Sequence, residues 1–103
     1  MSQDLENLRN KLAKSPENLL FRFSYAQKLY DAGNESEAIE QLEICIQGRK
    51  DWMFAYLLKA KLEISTRRTS DAVASLNKTI ELAKAQSHDD PLSEATQLLE
   101  SLV

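Results

Sequence analysis

Few residues in this chain are equipped for chemistry. Among its 103 residues there is one cysteine, Cys45, and one histidine, His88. A single thiol forms no internal disulfide, and a single imidazole builds no histidine-based metal site. Glycine and proline occur only twice each, too rarely for the turns of a sheet protein, so long helices are expected. No glycine-rich phosphate loop and no metal-spaced ligand cluster is present. The longest apolar stretches are Ile44-Cys45-Ile46 and Trp52 to Tyr56, far short of the ~20 residues that span a bilayer. Neither charge sign dominates: 13 Lys and Arg stand against 16 Asp and Glu, a net charge of −3, which is not the footprint of a nucleic-acid binder. Met1 to Leu8 show neither a basic start nor an apolar run, so no secretory signal is read there. The expectation is a soluble, cytoplasmic protein without metal or cofactor, and without nucleic-acid or membrane partners.

Hydrophobic residues make up 43% and charged residues 28%, ordinary globular proportions. The length suits a single domain over 1–103, which buries roughly two-thirds of its unfolded surface. An internal repeat organises it. A shift of 34 residues lays Ala26 on Ala60, Ala38 on Ala72 and Leu42 on Leu76. The same shift pairs Leu20 with Phe54, Phe23 with Leu57, Tyr30 with Ile64, Ile39 with Val73 and Ile46 with Ile80. Small residues fall on small ones and large apolar residues on large ones, without a gap.

Each unit divides into two helical stretches. The first unit, 17–50 with Pro16 at its start, opens with a helix over about Pro16 to Ala32. Ser15 is its expected N-cap, Pro16 its first helical residue and Gly33 its left-handed stop. Asn34 and Glu37 then form a capping-box pattern. In the helix that follows, Ala38, Ile39, Leu42, Cys45 and Ile46 make one apolar stripe opposite Glu35, Glu37, Glu40 and Glu43. In the second unit, 51–85, Asp51 is the expected cap of a helix from Trp52 to Thr66, and Thr69 or Ser70 of another ending at Ala85. Leu5, Leu8 and Leu12 place an N-terminal helix over 1–14 in register with the second helix of a unit. Asp90-Pro91 restarts a helix over 90–102, whose Leu92, Ala95, Leu98, Leu99 and Leu102 form a terminal capping stripe. Six helices and no strands are predicted, an all-α chain.

These residues resemble the tetratricopeptide repeat family, whose 34-residue unit carries a W-x2-L-G-x2-Y … A-x3-F pattern. The first unit offers Arg22, Tyr25, Ala26 and Leu29, then Ala38 and Leu42; the second offers Tyr56, Lys59, Ala60 and Glu63, then Ala72 and Leu76. The resemblance covers about residues 16 to 85 in full and both flanks in part. It implies a right-handed α-α superhelix of antiparallel helix pairs, in which the alanines sit where helices approach closely. It also implies a non-catalytic interaction module that takes a protein or peptide partner on the concave face. Carried onto this sequence, that face shows Leu20, Phe23, Gln27 and Tyr30, then Phe54, Leu57, Lys61 and Ile64. The alternative is a self-associating scaffold, a homo-oligomer through the same groove. Family members that grip a terminal carboxylate place Lys, Asn and Arg there; one Lys among apolar groups does not support such a clamp. Two departures stand out. Lys59 and Glu63 replace the usual Leu and Tyr and are expected to pair at the rim, worth ~0.3–0.5 kcal/mol. Lys50 and Lys84 stand where the family often closes its units with proline.

No residue of the chain points to catalysis, so an enzyme is not expected. Cys45 lies on an apolar stripe and reads as a small core residue rather than a reactive thiolate. His88 reads as a solvated loop residue, and Asp89-Asp90 as a helix start before Pro91 rather than an acid–base pair. Charge is uneven: Asp31, Glu35, Glu37, Glu40 and Glu43 form an acidic run, while Arg49, Lys50, Lys59, Lys61, Arg67 and Arg68 make the middle basic.

Overall fold

The computed structural model describes residues 3–102. Within them run six helices: α1 (Gln3–Lys14), α2 (Leu19–Asp31), α3 (Glu35–Gly48), α4 (Met53–Ser65), α5 (Thr69–Ala85) and α6 (Asp89–Leu102). No strand occurs among the described residues. Each helix packs chiefly on its neighbours in sequence, while α2 also touches α4 and α4 touches α6. Alternate helices therefore share a face, and the stack is a right-handed α-α superhelix measuring 39 × 27 × 20 Å.

Small side chains set the closest approaches. Ala26, Ala38, Ala60 and Ala72 are all fully buried, and Ala55 and Ala95 join them. Around the first pair, Leu5, Leu12, Tyr25, Leu29, Ile39, Leu42, Cys45 and Leu62 form the core shared by α1 to α4. A second cluster joins α4, α5 and α6 through Leu57, Ala60, Leu76 and Ala95, with Leu98, Leu99 and Leu102 against it. Leu92 packs instead near Met53, Leu82 and Ala83. The last helix thus covers the end of the stack with the apolar stripe its sequence spells out.

The helix starts differ from the sequence expectations in a consistent way. α2 begins at Leu19 rather than Pro16, capped by Asn18, whose Oδ1 accepts from the Phe21 N–H at 3.0 Å. Ser15 belongs to the end of α1, donating its N–H to the Lys11 carbonyl, since a residue before proline is turned away from helix and so breaks the chain there. Asn34 sits at the α3 cap but its side chain makes no cap bond. The capping box is absent: the Asn34 N–H goes to the Leu29 carbonyl, and Glu37 accepts from the Tyr25 hydroxyl at 2.8 Å. Trp52 and Arg68, not Asp51 or Thr69, occupy the cap positions of α4 and α5, without side-chain caps. Asp51 faces Arg49 at 3.8 Å instead. α6 starts one residue early, at Asp89, and buries Pro91.

The helix ends repeat one geometry. After α2, Gly33 at φ +80° lets the Asn34 N–H reach the Leu29 carbonyl at 2.9 Å, with the Gly33 N–H on Tyr30. The same paired bonds close α4, from Arg68 to Glu63 and Arg67 to Ile64, and α5, from His88 to Ala83 and Ser87 to Lys84. There the left-handed residues are Arg67 at φ 61° and Ser87 at φ 59°. A side chain in that region costs on the order of 1–2 kcal/mol, so tertiary packing imposes these turns where no glycine announces them.

Candidate groove between alternate helices

The α2–α4 face forms a concavity of roughly 390 Å³ lined by Leu20, Phe23, Gln27, Trp52, Phe54, Leu57, Leu58 and Lys61. Helical spacing brings these residues together. Leu20, Phe23 and Gln27 fall at successive three- and four-residue steps on α2, and Phe54, Leu57 and Lys61 do the same on α4, with Leu58 beside Leu57. Six of the eight residues expected on this face therefore meet around one space. Tyr30 and Ile64 do not: Tyr30 is exposed beyond the groove, and Ile64 packs into the cluster under α6.

Burial divides the six further. Leu20 is 66% exposed and Phe54 48%. Phe23 is half-buried and stacks on Trp52 with ring centroids 4.9 Å apart, which stiffens the wall. Leu57 is only 5% exposed and belongs to the core with Ala60, Leu76 and Ala95, so it forms the floor rather than the lip. Lys61 extends towards α6 and pairs with Glu94 at 2.6 Å. The C-terminal end of the face is thus covered by the chain's own last helix, while the Leu20–Phe54 end is open. Sequence reasoning missed Trp52 and Leu58 in this lining. The aromatic character of Trp52 beside a helix start was the available signal for it, but Leu58 is one step off the repeat positions used to choose the face.

Phe54 also walls a second, more polar concavity of roughly 590 Å³, shared with Ser87, His88, Asp89, Asp90, Pro91 and Glu94. The His88 ring meets the Phe54 ring edge-on at 6.3 Å, so the histidine is engaged by an aromatic neighbour. It stands in the α5–α6 turn, as exposed as expected.

The cysteine lies elsewhere. Cys45 is fully buried on α3, its Sγ 3.8 Å from the Leu19 carbonyl. Burial pushes its thiol up to about 11, outweighing the nearby Arg22 guanidinium, so thiolate chemistry is suppressed. Among the described residues no cluster of His, Cys, Asp and Glu is arranged to hold a metal ion. No helix there is long and apolar enough to cross a membrane.

The charged pair at Lys59 and Glu63 is not the exposed rim pair expected: its carboxylate is interior, and only Lys59 reaches the edge. The Lys59 ammonium meets Glu63 Oε2 at 2.6 Å, the Ser75 hydroxyl donates to Oε1 at 2.6 Å, and Glu63 is 2% exposed. The carboxylate ties α4 to α5 inside the stack, because α5 covers the side of α4 that the sequence alone left open. A second polar link joins the first helices: Arg9 donates from Nε and Nη2 to the Tyr25 oxygen, both at 3.2 Å, and Tyr25 donates on to Glu37. Burial, reinforced by the Glu37 bond, raises the Tyr25 phenol against the opposing Arg9 contact.

With this geometry in view, comparison with known proteins is direct. The family model of the tetratricopeptide repeat matches residues 1–55. A tetratricopeptide repeat domain protein from Salinibacter ruber, solved in solution, is 26% identical, with a TM-score of 0.76 over 84% of this chain and 88% of that one. A crystal structure of the Salinibacter ruber domain gives 25% identity and a TM-score of 0.76 over 82% and 94% of the two chains. A Bordetella parapertussis protein, 18% identical, superposes with a TM-score of 0.85 over 99% of this chain and 89% of that one, a likeness of fold alone. No curated protein matches. The chain belongs to the tetratricopeptide repeat family, a fold that generally mediates protein–protein interaction and is typically non-enzymatic.

Proposed function

We propose that this protein is a non-catalytic binding module that holds a segment of a partner protein in the apolar groove between α2 and α4. It does so as two repeat units, 17–50 and 51–85, flanked by an N-terminal helix and a C-terminal capping helix, and acts in the cytoplasm. One observation carries the reading: Leu20 and Phe54 stand 66% and 48% exposed in a concavity floored by buried Leu57 and walled by the stacked Phe23 and Trp52 rings. Fully covering a side chain of that size is worth about 1.5–3 kcal/mol, so the open lip supplies attraction that folding leaves unused. Leu57, Phe23 and Trp52 shape the space, and Gln27 and Lys61 supply its polar edge.

The test is selection of random peptides of roughly a dozen residues on the immobilised protein, followed by affinity measurements against Leu20→Glu and Phe54→Glu. Both substitutions should abolish binding of the selected peptides while the helical signal and melting point stay near those of the parent. Leu57→Glu is unsuitable as a probe, because it buries a charge in the α4–α5–α6 cluster and would unfold the chain. Peptides bound equally well by the Leu20→Glu and Phe54→Glu variants would show that recognition occurs elsewhere.

A further inference from the structure

The apolar groove does not end at Phe54. That ring is shared with the neighbouring concavity, where Asp89, Asp90 and Glu94 gather around the start of α6. The balance of charge across the combined surface is one-sided. Of the three carboxylates only Glu94 has a cationic partner, Lys61; neither Asp89 nor Asp90 is in an ion pair among the described residues. The start of α6 offsets about half a charge. Arg49, which lies over the Trp52 ring at 5.2 Å, is itself matched by Asp51. A bulky apolar side chain lodged against Leu20 and Phe54 therefore has a net negative border next to it.

From this continuity, and resting on the groove reading above, we infer that the occupant is a basic segment of another protein, with a bulky apolar anchor followed closely by Lys or Arg. The anchor fills the α2–α4 groove and the cation crosses Phe54 to Asp89 and Asp90. An acidic segment would bring like charges together, and complementarity of this kind selects between partners more than it adds affinity. A second copy of this chain fits poorly. Among the described residues its remaining exposed large apolar side chains are Ile44, near exposed Glu40 and Glu43, and Tyr30, beside exposed Asp31. Pairing groove to groove would set the unmatched Asp89 and Asp90 of one copy against those of the other.

The experiment uses two peptide libraries with random apolar positions, one with a fixed Lys-Arg pair and one with a fixed Glu-Asp pair. The best binders are then titrated against the parent, Leu20→Glu, and Asp89→Asn combined with Asp90→Asn; asparagine keeps the shape of aspartate without its charge, and circular dichroism checks that α6 persists. The expected result is enrichment from the basic library alone, loss of binding on Leu20→Glu, and weakening of about three- to tenfold in the double asparagine variant, the scale of two exposed charge pairs. Affinity for the parent should also fall as sodium chloride is raised. Binders that need Leu20 but come equally from the acidic library, or ignore the asparagine substitutions, would overturn the basic partner and leave the groove standing. If neither library yields a Leu20-dependent binder, both readings fail. A concentration-dependent dimer in sedimentation, lost on Leu20→Glu, would make a second copy the occupant and overturn the inference.

Discussion

The buried charge pair of α4 makes an unequal prediction about its two halves. Glu63 is 2% exposed and bonded on both oxygens, whereas the Lys59 side chain retains 16% exposure at the edge of the stack. Removing one member of a buried pair costs about 3–5 kcal/mol when the survivor is trapped. In Lys59→Met the survivor is the carboxylate, which has no route to water and keeps only the Ser75 hydroxyl, so the full range applies. In Glu63→Leu the survivor is an ammonium on a flexible stem that can swing outward, and about 2–3 kcal/mol is expected. Ser75 loses its acceptor there but can donate to its own helix backbone. Making both changes together removes the desolvated charge altogether, and the double variant should match or exceed the parent in stability. Urea unfolding followed by circular dichroism measures all four proteins; for a domain of this size each 1 kcal/mol also moves the melting point by roughly 4–8 °C. The reasoning is refuted if Glu63→Leu proves costlier than Lys59→Met, or if the double variant is as unstable as the sum of the singles.

Three other outcomes follow from the same structure. Ala60→Leu should overpack the fully buried crossing of α4 with α5 and α6 and cost on the order of 1–3 kcal/mol, read as a lowered melting point. Arg67→Gly should instead stabilise the chain by roughly 0.5–1 kcal/mol, since it relieves a left-handed side chain at φ 61°; an unchanged urea midpoint would contradict this. Cys45 should react with a thiol reagent slowly in the native state and promptly in denaturant. Because its folded thiol sits near 11 rather than 9, the unfolded chain releases the proton first; the Cys45 contribution is constant below about pH 9 and is lost, by roughly 2–3 kcal/mol, as pH rises to 11, and the change with pH in the difference between parent and Cys45→Ala urea midpoints separates it from the Tyr25 phenol, which is also raised.

Periodicity carried most of the architecture into the sequence. Alanines spaced by 34 residues, and apolar residues recurring every three or four, mark helices with one apolar face each, joined by loops short enough to make sequence neighbours pack as antiparallel pairs. The four repeat alanines are fully buried as a result, and Gly33 ends α2 in the left-handed turn that only glycine adopts without strain. Six of the eight groove residues converge for the same reason: equivalent positions on parallel helices face one way. What the sequence could not carry were contacts between elements. Glu37 abandons a local cap for Tyr25 on another helix, and Glu63 becomes interior only once α5 is laid against it. Leu57 turns from lip to floor, and Lys61 is claimed by Glu94, because α6 folds back over α4. Local patterns decide which face of a helix is apolar; which part of that face meets water depends on where the distant helices come to rest, and only the packed chain decides it.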